Sequence, residues 1–134
     1  MKKTSMILCG MMLLASSAMA QVKVIAHRGH WNSQGAAQNS IAAMQNAKKA
    51  DVWGSEFDVH ITTDGTVVVN HDDDIHGIII ENAKYADIKN LKLANGEPIA
   101  TLKSYLEAGK KLAPMQLILE IKAHQTPERE DRCV

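Results

Sequence analysis

Acidic side chains and histidines that could hold a metal ion and move protons are concentrated in the stretch Ser55–Asp74. Glu56 and Asp58 stand two positions apart in an apolar run, so on a β-strand they share one face. A second short apolar run, Val67–Val69, leads to His71. Two carboxylates on one strand and a histidine after the next indicate a functional site. The alternative is a solvated strand face, on which both carboxylates point to water.

Two further apolar runs end in groups that could do chemistry. Val22–Ala26 predicts a buried strand and leads directly to His27-Arg28-Gly29. Gln116–Lys122 predicts another strand, with Glu120 and Lys122 on one face. Taken alone, such a histidine is often structural, and such a charge pair is often a weak surface contact. Charged groups at the ends of several consecutive parallel strands would instead converge at one rim of an α/β barrel.

The elements between these strands predict parallel βαβ units. Asn39 or Ser40 is a good N-cap for a helix that ends near Ala50-Asp51. Thr101 can cap a second helix, and its expected buried stripe comprises Leu102, Tyr105, Leu106 and Leu112.

The connecting segment after His71 contains smaller elements. We expect Asp73 and Asp74 to form a solvated turn and Ile78–Ile80 to add a short strand. Asp87 is expected to cap a short helical piece that runs through Leu91.

Composition limits the classes of function. The chain has 134 residues, with 15 basic and 15 acidic side chains and no formal net charge at pH 7. A neutral chain has no electrostatic attraction for nucleic acid, and its single Phe, two Tyr and two Trp make base stacking an improbable role. The length suits one modest domain and leaves the oligomeric state open.

Residues 1–20 have the pattern of a secretory signal peptide. Lys2 and Lys3 precede an apolar run, and small residues around Ala20 form a cleavage site. The run is far shorter than the ~20 residues of a stable membrane span. We therefore expect export to the periplasm or the extracellular space, with one domain over residues 21–134. Cys133 would then be the single cysteine of the mature chain, available to another chain or to a more distant partner.

In combination, the motifs resemble the glycerophosphodiester phosphodiesterase family. They are HRG at 27–29, NSIAA at 39–43, EFDVHITTDG at 56–65, VVNHD at 68–72, GEPIATL at 96–102 and EIK at 120–122. The resemblance covers nearly the whole mature chain. It implies an α/β fold, a partial TIM (β/α)8 barrel that comprises roughly the first three βα units with a small insertion. It also implies metal-dependent hydrolysis of a small glycerophosphodiester to an alcohol and glycerol phosphate.

The resemblance also assigns roles to residues. It makes Glu56, Asp58 and Glu120 the metal ligands, and three carboxylates suit Ca²⁺ or Mg²⁺ better than zinc. It makes His27 and His71 the acid–base pair, without deciding which is the base. Two cations match phosphate-binding positions, where their charge would stabilise the transition state; they are Arg28 and Lys122.

Two departures from the family pattern leave alternatives open. The family usually has Pro-Glu-Asn-Thr where this chain has Ala37-Gln38-Asn39-Ser40, so we expect the site to be tuned at Gln38. A whole barrel needs ~250 residues, so we expect an amino-terminal portion of such an enzyme. The alternatives are a catalytically incomplete fragment, a calcium-binding module without catalysis, and a relative of the phospholipase D-like toxins.

Overall fold

The computed structural model describes residues 22–134, so the predicted signal peptide lies outside the described residues. The strands are β1 (Ile25–Ala26), β2 (Gly54–Ile61), β3 (Val67–Val69), β4 (Asp74–Ile75), β5 (Ile78–Ile79) and β6 (Gln116–Ile121). The helices are α1 (Ile41–Lys49), α2 (Tyr85–Ile88), α3 (Leu102–Gly109) and α4 (Pro127–Asp131), with short 3-10 turns at Ile80–Asn82 and Lys110–Leu112. No helix in this part of the chain has the length and apolarity needed to cross a membrane.

Strand β2 is the centre of the main sheet. Strands β1 and β6 pair with it in parallel, and β3 pairs with it antiparallel. Because β6 follows one edge of β2 from Gly54 to Val59, β1 and β3 must share the opposite edge. The predicted α/β architecture with parallel strands is therefore confirmed, and β4 and β5 form a separate hairpin.

The alternation of side chains along β2 separates the core from the site. Phe57, Val59 and Ile61 are buried in the main hydrophobic cluster, together with Met44 of α1 and Tyr105 of α3. The opposite face carries the acidic residues of β2, which are also buried. The alternative of a solvated strand face is therefore wrong.

The helix boundaries follow the predicted caps. Ser40 is the N-cap of α1, and its hydroxyl accepts a hydrogen bond from the Ala43 N–H. Ala50 is its C-cap, as expected from the sequence. Thr101 is the N-cap of α3, and its hydroxyl accepts from the Ser104 N–H.

The structure corrects two predictions about helices. Asp87 does not cap α2: Lys84 is the N-cap, Asp87 accepts a hydrogen bond from the Lys84 N–H, and the helix ends at Ile88. The predicted stripe of α3 is also too wide. Leu106 is exposed because it follows the buried Tyr105 by one position, about 100° around the helix.

Two predictions about burial are also wrong. The run Val22–Ala26 forms only a two-residue strand, and its Val22, Val24 and Ile25 are exposed because β1 pairs along one edge only. Cys133, expected to be available to a partner, is instead 1% exposed and lies in the main hydrophobic cluster.

Candidate metal and phosphodiester site

The candidate site lies where the edge of β2 is left open between β1 and β3. Ala26 of β1 pairs with Ser55, and Val69 of β3 pairs with Val59. Within residues 22–134, no strand therefore pairs with Glu56–Asp58 on this edge. The chain after β1 and the chain after β3 enter this opening from opposite directions. They bring with them the two sequence-predicted histidines, His27 and His71.

The three predicted metal ligands come together on one face of the sheet, beside this opening. Parallel pairing sets Asp58 directly beside Glu120 of β6, and Glu56 precedes Asp58 on the same face of β2. One carboxylate oxygen of each lies within 4.8 Å of the others. Asp58 is fully buried and Glu56 nearly so, whereas about half of the Glu120 side chain is exposed.

The chemistry of these carboxylates fits a divalent cation. Glu56 Oε1 and Asp58 Oδ1 are buried and have no hydrogen-bond partner in the described part of the chain. A buried carboxylate oxygen without a partner is costly, and a bound cation would supply the missing interaction. Oxygen-only donors suit a hard ion such as Ca²⁺ or Mg²⁺.

Asp58 is held in position from two sides. Asn39 donates from Nδ2 to Asp58 Oδ2 at 2.9 Å and accepts from the Asp58 N–H at 3.2 Å. The two predicted phosphate ligands also approach this carboxylate. Arg28 Nε lies 3.8 Å from Oδ2, and Lys122 Nζ lies 3.5 Å from Oδ1. Both cations are therefore at the opening, where they balance part of the negative charge.

The backbone after β1 makes a sharp turn into the site. Arg28 has φ 58°, and its N–H donates to Glu56 Oε2 at 2.8 Å. Gly29 has φ 77°, and a Cβ there would lie 2.7 Å from the Ala43 Cβ of α1. Glycine at this position therefore allows the turn to pack against the helix.

Gln38 contacts the site through Arg28. Its Oε1 accepts a hydrogen bond from Arg28 Nη1 at 2.7 Å. A neutral amide here binds the guanidinium without neutralising it, whereas a carboxylate would form an ion pair. We expected that Gln38, in place of the glutamate usual in the family, alters the properties of the site, and this stays a prediction.

The two histidines flank the carboxylates. His27 Nε2 lies 3.9 Å from Glu56 Oε2, and two-thirds of its side chain is exposed. His71 Nδ1 lies 2.7 Å from Asp72 Oδ1, which orients the ring. His71 also lines a cleft of about 480 Å³, together with Trp31, Asn39 and Leu93.

Local environment shifts the pKa values of several groups. Burial raises the pKa of Glu56, although the hydrogen bond from the Arg28 N–H opposes the shift. The hydrogen bond from Lys122, at 2.9 Å, lowers the pKa of Glu120 and raises that of Lys122. Burial also lowers the pKa of His60, although the hydrogen bond to the His71 carbonyl opposes the shift.

Sequence reasoning missed three residues that support the site. Asn39 was expected as a possible helix cap and as part of a family motif without an assigned role, and it binds Asp58. Glu97 lies in a recognised motif without an assigned role, and it accepts hydrogen bonds from the Ile41 and Ala42 N–H groups of α1. His60 follows Asp58 by two positions, just as Asp58 follows Glu56. This spacing was the one sequence signal that the three side chains share a face of β2.

The α/β fold has a mixed sheet in which β1, β2 and β6 are parallel, and it brings together an acidic cluster, two imidazoles and two cations. These features define a class of site suited to binding a metal and an anionic ligand. A search of protein-family models matches the Glycerophosphoryl diester phosphodiesterase family over residues 27–134. The chain belongs to this family.

Solved structures agree with this assignment. A glycerophosphodiester phosphodiesterase from Parabacteroides distasonis is 50% identical with a TM-score of 0.81, over 83% of this chain and 47% of that one. An Oleispira antarctica phosphodiesterase, solved with the product sn-glycerol-3-phosphate, is 30% identical with a TM-score of 0.70, over 81% of this chain and 48% of that one.

Curated relatives match over a shorter stretch. A glycerophosphodiester phosphodiesterase from Caldanaerobacter subterraneus is 44% identical over 52 residues, which are 39% of this chain and 21% of that protein. The chain thus aligns with about half the length of the solved relatives and about a fifth of this curated one.

Proposed function

We propose that the whole protein carrying this chain hydrolyses glycerophosphodiesters to an alcohol and glycerol phosphate with a divalent metal ion. The observation that supports this most directly is the cluster of Glu56, Asp58 and Glu120 within 4.8 Å, flanked by both histidines. The product seen in the Oleispira antarctica relative supports glycerol phosphate as the product here.

Each group at the opening has a chemical part in this proposal. The three carboxylates hold Ca²⁺ or Mg²⁺, which supplies positive charge to the phosphate when bound. Arg28 and Lys122 bind the phosphate oxygens and stabilise the charge that develops on them.

The histidines carry the protons. One imidazole accepts a proton from the attacking oxygen, and the other donates one to the leaving alkoxide. For His71 the nitrogen available for this transfer is Nε2, because Nδ1 faces the Asp72 carboxylate.

The same proposal extends to fold and location. The order β1–α1–β2–α3–β6 supports the first three units of a (β/α)8 barrel, with the segment from β3 to α2 as the small insertion. Residues 21–134 then form the amino-terminal part of the catalytic domain. Residues 1–20 direct export to the periplasm or the extracellular space.

The rival functions explain fewer of these contacts. A calcium-binding module accounts for the carboxylates but not for the orientation of His71 by Asp72. A phospholipase D-like relative would not need the Glu120-Ile121-Lys122 motif, whose lysine contacts Asp58 and Glu120. A catalytically incomplete fragment remains the alternative for the 134 residues on their own.

Replacement of either histidine tests the proposal in the whole protein. His27→Ala and His71→Ala are each expected to lower kcat by about 10²–10⁴-fold, because each removes a proton-transfer group. His76→Ala is the matched control, since this exposed histidine binds the Lys92 carbonyl away from the site. Turnover of a glycerophosphodiester, followed by release of glycerol phosphate, measures the effect. Undiminished turnover in either variant would refute the assignment.

A further inference from the structure

His60 is a buried polar residue that the proposed reaction does not use. It lies on the same face of β2 as Glu56 and Asp58 and is 2% exposed. Its Nε2 lies 3.2 Å from the carbonyl oxygen of His71. A carbonyl only accepts, so His60 Nε2 must carry a proton and donate it.

This hydrogen bond acts on the loop that carries the catalytic candidate His71. The Asn70 N–H donates to the Asp58 carbonyl at 3.1 Å, which anchors the start of the loop to β2. Asn70 Nδ2 then donates to the carbonyls of Asp72 and Asp74, at 2.8 and 3.1 Å. The Ile80 N–H donates to the Asp73 carbonyl at 2.9 Å, and His60 binds the carbonyl of His71 itself.

The His60 ring is in turn fixed by its surroundings. Its centroid lies 5.4 Å from that of His124, in an edge-to-face arrangement. His124 Nε2 accepts a hydrogen bond from the Ile61 N–H at 3.0 Å, and the backbone N–H of His124 donates to Glu130 Oε1 at 3.0 Å. The two rings therefore connect the end of β2 to the chain after β6, and the backbone of His124 connects that chain to α4.

We propose that His60 is a positioning residue that fixes the backbone of His71, and through it the imidazole that transfers a proton. The inference rests on the proposed hydrolysis. Proton transfer requires the imidazole to lie within hydrogen-bond reach of the substrate, and a misplacement of about 1 Å costs about 100-fold in rate. Because His60 contacts neither cation of the site, its loss affects the chemical step more than substrate binding.

A pair of variants with similar side-chain shape separates positioning from packing. His60→Gln retains an N–H donor, and His60→Met fills similar space without one. We expect His60→Met to lower kcat by about 10–100-fold with KM changed less than about threefold, and His60→Gln to recover most of the rate. His76→Met is the matched control, because it removes another donor to a backbone carbonyl, and it should leave kcat unchanged.

The result that overturns the proposal is equally specific. A kcat of His60→Met within about threefold of the native value would overturn it, as would an equal loss in both His60 variants. The proposed function fails separately, if the native protein does not turn over any glycerophosphodiester.

A measurement on the native protein tests the inference even if a variant does not fold. The ¹⁵N chemical shifts of the His60 ring should report a protonated Nε2, the nitrogen that donates to the His71 carbonyl. The opposite tautomer would remove the donor to His71 and overturn the proposal without any measurement of activity.

Discussion

Glu56 and Glu120 belong to the same carboxylate cluster, but their charged forms have opposite effects on folding stability. Burial raises the pKa of Glu56 above its ordinary value of 4.5. The contribution of this carboxyl group to folding stability is therefore fully present below pH 4.5, and it is lost as the pH rises through the raised pKa of the folded state. The hydrogen bond from Lys122 lowers the pKa of Glu120, so its contribution is present above pH 4.5 and is lost as the pH falls through the lowered value.

This difference predicts opposite effects of the same substitution. In excess chelator at pH 7, Glu56→Gln should raise Tm by about 2–5 °C, because it removes a buried charge, and the gain should shrink below pH 4.5. Glu120→Gln should lower Tm slightly at pH 7, since the exposed pair is screened by solvent. Calorimetry across this pH range measures both.

Metal provides the internal control for these variants. Added Ca²⁺ or Mg²⁺ should raise Tm in the native protein and much less in Glu56→Gln, because binding to the folded state alone stabilises it. A Glu56→Gln protein that is less stable than the native one in chelator at pH 7 would contradict the account.

At the residue scale, the sequence predicts which groups meet but not what holds them. Glu56, Asp58 and Glu120 could be placed together because strand periodicity and parallel pairing are regular. The contact between Asn39 and Asp58 depends on the path of an irregular loop with Asn39 at φ 60°. The contact between His60 and His71 depends on where β3 ends. Neither path follows from local sequence preferences.

At the element scale, helix α1 connects the candidate site to the loop between α2 and α3. The N-cap Ser40 follows Gln38 and Asn39, which contact Arg28 and Asp58. Its first free N–H groups are bound by Glu97, and Asn95 Nδ2 holds that carboxylate at 2.8 Å. A negative charge at this position also interacts favourably with the helix dipole.

Removal of this carboxylate should therefore destabilise the fold. We expect Glu97→Ala to lower the free energy of unfolding by about 1–3 kcal/mol, because it leaves two helix donors without partners. Glu107→Ala is the control, since this exposed side chain of α3 should contribute less than about 0.5 kcal/mol. Urea denaturation measures both, and equal losses would show that Glu97 does not cap the helix.

The predictions for helices and strands succeeded where local capping residues are clear. They failed where burial depends on which other elements pack against the segment. Ser40 and Thr101 begin α1 and α3 as expected, because a hydroxyl that accepts a backbone N–H is a local feature. The burial of Val22–Ala26 was overestimated, because an apolar run predicts a strand but not how many strands pack around it. Asp87 lies in the first turn of α2 rather than before it, where a carboxylate is equally favourable.

At the scale of the whole molecule, the sheet presents apolar surface at the end opposite the site. Val22, Val24 and Trp53 are exposed there, and a cleft of about 510 Å³ lies beside them. Strand β1 also leaves one edge without a hydrogen-bonded neighbour in the described part of the chain. Open edges and exposed apolar side chains favour association between molecules.

This surface predicts the behaviour of the isolated residues 21–134. We expect them to self-associate and to have little activity, and Val24→Lys to reduce the association by placing a charge beside the open edge. Size-exclusion chromatography with light scattering measures the mass of both. A monomeric, cooperatively folded and active fragment would contradict the prediction.

The central claim is that Glu56, Asp58 and Glu120 hold a metal ion on which phosphodiester hydrolysis depends. The most direct test follows the ³¹P NMR signal of a glycerophosphodiester incubated with the whole protein. We expect the diester signal to be replaced by that of glycerol phosphate, excess chelator to stop the conversion, and added Ca²⁺ or Mg²⁺ to restore it. Conversion that continues at the same rate in excess chelator would contradict the claim.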